Sequence, residues 1–101
     1  MAYETTYKGE KVTLEIGRYI TGQHAIQLVD ETGIPYTVAT VAISEHLDMN
    51  EVAIKNYSEN EGMLDWMMKE EIVGAPIRHV NSGFVTIPIC PIHEDAITLF
   101  F

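Results

Sequence analysis

Apolar and polar residues alternate with a period of two along much of the chain, the pattern of an antiparallel strand with one buried face. From Lys11 to Ile20, Val12, Leu14 and Ile16 are interleaved with Thr13 and Glu15, and with Tyr3 to Tyr7 across the Gly9 turn they predict a hairpin. Ala25 to Asp30 and Tyr36 to Ile43 predict a second hairpin, its loop marked by Gly33 and Pro35 in "DETGIP". "SEHLDMN" reads as a turn, and "EVAIKNY" as a further short strand. Ile77 to Val80 and Phe84 to Ile89 predict two more strands about the turn Asn81, Ser82, Gly83. Pro88 and Pro91 lack backbone donors, so this last strand is expected to lie at a sheet edge or to end there.

The period changes in "NYSENEGMLDWMMKEEIVG", Asn56 to Gly74. Leu64, Met67, Met68 and Ile72 recur at the three-and-four spacing of an amphipathic helix. Ser58 and Glu61 have the S-x-x-E form of a capping box, Glu59, Glu61 and Asp65 lie where the helix dipole favours negative charge, and Gly74 reads as a left-handed stop. These signals predict a helix over about 59–73. Helix formation does not account for Gly62, which costs up to about 1 kcal/mol relative to alanine near the helix start. The expected fold class is therefore α+β: a mainly antiparallel sheet of about five to seven strands with that one amphipathic helix packed on it. Residues 1–101 are expected to form a single domain, with 91–101 as a C-terminal extension. In that tail Ile97, Leu99 and Phe101 alternate with Thr98 and Phe100, as in a strand with one apolar face.

Composition narrows the function classes. A chain of 101 residues with 47% hydrophobic content fits one compact domain, and at that size little room is left for a deep cleft. The single cysteine, Cys90, cannot form an internal disulfide, which fits a reducing cytoplasm. Neither a classical export signal nor a run of about 18 apolar residues is present, so no membrane span is expected. The formal charge is −9, and the six basic residues (Lys8, Lys11, Arg18, Lys55, Lys69, Arg78) are scattered. Gripping a phosphate backbone requires clustered cations, so direct nucleic-acid binding is not expected, whereas a basic protein partner is compatible with this charge. The oligomeric state is left open.

Three stretches, "GRYITGQHAIQLVD", "VAIKNYSENEGMLDWMMKEEIVG" and "GFVTIPIC", resemble a family of small proteins of bacteria, phages and mobile elements that carry a domain of unknown function of the 4313 type. The "IKNYSENEGM" core is the most specific part, and residues after about Pro91 look like an addition to the family pattern. The resemblance implies a cytoplasmic accessory protein and supplies no activity.

Candidate chemistry is sparse. Zinc would have to use Cys90 and His93 of "CPIH" with His24, His46 or His79, yet a structural site needs two ligand pairs and only one is present. Cys90 sits in an apolar run with no base beside it, Glu61 and Asp65 lie four apart on a solvated helix start, and no Gly-rich phosphate loop occurs. No metal, cofactor or catalytic residue is expected. What remains is the opening of the helix, where Tyr57 and Trp66 flank the apolar stripe beside Glu59, Glu61 and Asp65, and two readings stand: the aromatics pack into the core, or these five residues form a partner-binding surface. Large aromatics supply much of the energy of protein interfaces, and acidic neighbours steer a basic partner toward them. The sequence thus suggests a non-enzymatic acidic interaction protein: a phage or mobile-element accessory factor that binds a host or element protein, for example as a defence antagonist or nucleic-acid charge mimic. The alternative is a small-ligand-binding or assembly module with no antagonist role.

Overall fold

The computed structural model describes residues 3–101. Seven strands form two antiparallel sheets. The first is a meander of β1 (Tyr3–Tyr7), β2 (Glu10–Arg18), β3 (His24–Val29) and β4 (Pro35–Val38) in that order. The second contains β5 (Glu51–Ala53), β6 (Arg78–Ser82) and β7 (Val85–Pro91), ordered β5-β7-β6. The period-two signal is realised directly: Val12, Leu14, Ile26 and Leu28 are buried, while Glu15 remains in solvent. The sheets are stitched together where the chain beyond β4 bridges β5, with Thr40 opposite Ile54 and the Val41 amide donating to Ala53 O at 3.1 Å.

β7 is the central strand of its sheet, not an edge, and the reason two prolines fit there is positional. The Ile54 amide donates to Pro88 O, so residue 88 faces β5, at a level where β5 has just ended. Pro91 faces the other side, beyond the first residue of β6, where its carbonyl accepts the Gly74 amide at 2.9 Å. Each proline nitrogen therefore falls past the end of a neighbouring strand, so no bond of the β5 or β6 ladder is lost.

The helix is shorter than its sequence signals predict. A 3-10 turn covers Ser58–Asn60, and α1 runs over Met63–Lys69. Ser58 does not cap it: Ser58 lies in the left-handed region with φ 58° inside the turn, and α1 has no capping bond from its N-cap side chain. That N-cap is Gly62, whose φ of 92° explains a glycine that helix propensity could not. The free amide of Leu64 is satisfied from outside, by Asn56 Oδ1 at 2.8 Å. At the other end Glu71, with φ 59°, makes the left-handed turn that the sequence suggested for Gly74. Gly74 has a different cause: a Cβ there would stand 3.2 Å from Pro91 Cγ. Asn56→Ala should cost about 1 kcal/mol, the usual worth of a capping side chain, and Ser58→Ala much less. Denaturant melts giving the reverse order would restore the serine as the cap.

Two apolar clusters hold the molecule. The larger joins Val12, Leu14, Ile26 and Leu28 to Met63 and Met67 of α1, with Leu64, Trp66 and Met68 packed at its margin. The smaller contains Ile43, Ala53, Val80, Ile87 and Ile89, with Tyr57 at its margin. The tail is helical rather than extended: a 3-10 turn at Glu94–Ala96 leads into α2 (Ile97–Phe100). Ile92, Ala96 and Phe100 join the larger cluster, while Ile97 and Phe101 are exposed.

Candidate functional site

The five residues singled out from the sequence occupy one connected segment but not one cluster. Tyr57 is half-buried against the smaller core, with the Lys55 ammonium 5.7 Å from its ring centroid. Trp66 is half-buried against the larger core. Its ring meets Tyr7 edge-on at 5.0 Å, and its Nε1 donates to Thr6 O at 2.9 Å. Trp66 thus ties α1 to β1 while keeping one side in solvent. Its aromatic neighbour is not Tyr57: the buried Tyr7 also meets Tyr36 of β4 at 5.8 Å, so Trp66 is joined through Tyr7 to Tyr36, which is exposed. Sequence spacing could not show this, because the three rings come from three separate elements.

The acidic members differ in their freedom. Glu59 is paired with Lys55, and that hydrogen bond holds its carboxyl below the usual range. Glu61 and Asp65 are exposed and pair with no cation among the described residues. Across the whole chain only Glu51 and Glu59 of the fifteen carboxylates pair with a Lys or Arg among those residues, so most of the negative charge is presented to solvent.

The Glu51 pair is structural. Glu51 is buried and accepts Arg78 Nη1 at 2.7 Å and the Asp48 amide at 2.9 Å. The Arg78 bond first, then the Asp48 amide, holds its carboxyl below the ordinary value of 4.5. A carboxyl depressed by folding contributes stability that is present above its unfolded value and lost as pH falls through its folded value. Wild-type stability should therefore fall more steeply below pH 4.5 than that of Glu51→Gln; parallel melting curves across that window would show that the pair contributes nothing.

The residues considered for metal or nucleophilic chemistry are dispersed. Cys90 is fully buried in β7, and burial pushes its thiol up to about 12, which leaves it inert. His93 turns instead toward Glu71 and Asp95, and ligand atoms of these three lie within 4.8 Å of one another. Their arrangement does not suit a shared cation. His93 Nδ1 already accepts the Asp95 amide at 3.1 Å, which puts the proton on Nε2, facing Glu71 at 3.5 Å. The two carboxylates thus address opposite ring nitrogens.

A cavity of about 360 Å³ lies between the β2–β3 turn and the loop 43–49. Ser44, His46 and Asp48 line it, a composition that invites comparison with a hydrolytic triad. His46 Nε2 is 3.3 Å from Asp48, but both side chains are open to solvent and no hydrogen bond links Ser44 to His46. A triad needs a buried, oriented imidazole and a nucleophile in contact with it, and neither is present here. Gln23 fixes the loop by donating to Ile43 O and Glu45 O, each at 3.0 Å, and accepting the Ile43 amide at 2.9 Å.

No protein family, curated protein or solved structure matches the chain. Among the described residues no helix is long and apolar enough to cross a membrane.

Proposed function

We propose that this chain is a non-enzymatic interaction protein that presents a fixed acidic surface around α1 to a basic protein partner. The observation that carries the reading is the half-buried Trp66, joined through Tyr7 to the exposed Tyr36, on the same segment as carboxylates that pair with no cation among the described residues, Glu61 and Asp65. Such a surface supplies a rigid apolar anchor and a field that accelerates encounter with a positive groove. Trp66 is anchored by Tyr7 and Thr6, so the surface is preorganised and little side-chain entropy is lost on binding.

The sequence resemblance supports a cytoplasmic accessory role in a phage or mobile element, with a host or element protein as partner. Blocking of a nucleic-acid-handling protein by charge mimicry is the form most consistent with a net charge of −9. Affinity purification from a bacterial lysate with stepped salt washes tests the reading. A basic protein released as salt rises is the expected result, because screening weakens exposed charge pairs. Recovery of acidic proteins alone, or of nothing, would reject it.

A further inference from the structure

Sheet edges expose unpaired backbone groups, and the four outer strands of this fold treat theirs differently. At β1 the outward carbonyl of Thr6 is taken by Trp66 Nε1, and Thr5 and Tyr3 are held by Glu70. At β4 the strand is short, opens with Pro35, and has its Val38 carbonyl taken by Asn60 Nδ2. The outer side of β5 is covered by the chain at Thr40 and Val41. β6 has no such cover.

The register identifies its free groups. Pro88 and Ile92 bond toward β5, so Val85, Ile87 and Ile89 bond toward β6, where they meet Ser82, Val80 and Arg78. The N–H and C=O of His79 and Asn81 therefore point outward, and no described residue bonds to them. Apart from Arg78, at the start of the strand and held by Glu51 with Glu45 and Asp48 acting on it, the edge carries no proline and no Lys, Asp or Glu, the usual devices against pairing. It is bracketed by two exposed apolar side chains, Ile77 at 58% and Phe84 at 110% of full exposure. Charge singles out the same place. The run from Ile72 to His93 contains no Asp or Glu, although the protein as a whole carries fifteen. Glu51, the carboxylate that contacts Arg78 at this strand, is neutralised by it. Two copies bearing −9 each repel over most of their surface, and this edge is where they can approach.

We propose that β6 is the interface of a homodimer, pairing antiparallel with β6 of a second copy about a two-fold axis at Val80. That register sets His79 opposite Asn81 of the second copy, and Asn81 opposite its His79, so all four outward N–H groups find carbonyls. It also brings Phe84 of each copy beside the Ile77 end of the other, covering both apolar side chains. The two three-stranded sheets become one sheet of six strands. This dimer does not depend on the acidic surface around α1.

Sedimentation equilibrium and amide hydrogen exchange over a concentration series test the proposal on the wild-type chain. The expected result is a species of twice 11.4 kDa that dissociates on dilution, with exchange at His79 and Asn81 slowing as it forms. The double variant His79→Glu, Asn81→Glu places carboxylates opposite one another across the axis. It should sediment as a folded monomer with native near-ultraviolet circular dichroism. A wild type that stays monomeric at every concentration would overturn the proposal. So would a dimer whose His79 and Asn81 amides exchange at the dilute rate, or a double variant that remains dimeric.

Discussion

Phe100→Ala should destabilise the fold by about 3–5 kcal/mol, the range for truncating a buried phenylalanine, whereas Phe101→Ala should cost under about 1 kcal/mol. Phe100 is only 8% exposed, belongs to the larger core with Leu14 and Ile26, and meets the His24 ring edge-on at 5.1 Å. Phe101 is 62% exposed. The two neighbours are an internal control, since truncation removes the same atoms from both. The buried His24, which donates from Nε2 to Met49 O at 2.7 Å, meets the Phe101 ring edge-on as well, at 5.4 Å, so the expected difference rests on burial and not on this contact. Urea melts with unchanged slope would give the difference directly. The alternation read from the sequence makes the opposite prediction, because a strand facing inward with Ile97, Leu99 and Phe101 loses more at Phe101.

Asn60→Leu should cost about 2–4 kcal/mol although it replaces a polar residue with an apolar one of similar size in a core position, because it strands the groups that Asn60 serves. Asn60 is fully buried; its Nδ2 donates to Val38 O at 2.6 Å, and its Oδ1 accepts the Thr37 hydroxyl at 2.6 Å. The Val38 carbonyl points away from β3 where the first sheet ends, and no strand is there to meet it. A single asparagine thus closes the edge of β4 and fixes the entry to α1. Asn60→Asp should be no milder, since it keeps the acceptor but loses the donor and buries a carboxyl group beside a carbonyl. A loss below that for Asn56→Ala would show that water replaces the side chain without cost.

How much of this was legible depends on the kind of signal. Strands β2 and β3 were readable because Val12, Leu14, Ile26 and Leu28 report burial through their own alternation, which is local. The S-x-x-E spacing misled because Ser58 lies in the left-handed region inside a 3-10 turn that ends at the buried Asn60, before α1 begins. Asn56 and Asn60 went unread because capping from outside a helix and bonding across a sheet edge have no fixed spacing along the chain. Pro88 and Pro91 signalled missing donors correctly. Whether a missing donor means an edge depends on where the neighbouring strands stop, which is tertiary information. Trp66 was placed correctly on the flank of the apolar stripe, but its partners Tyr7 and Tyr36 come from β1 and β4 and could only be found in the folded chain.

The central proposal is that Glu61 and Asp65, which pair with no cation among the described residues, meet a basic partner. Isothermal titration of the co-purified partner with wild type and with the Glu61→Lys, Asp65→Lys variant tests it most directly. Neither carboxylate pairs with a cation among the described residues, and Asp65 lies in the first turn of α1, so the variant should melt within about 1 kcal/mol of wild type, the usual worth of a charge at a helix start. Its Kd should rise by at least about tenfold, equivalent to about 1.4 kcal/mol, and the difference should shrink as salt is added. Equal affinities for the two proteins at low salt would contradict the account.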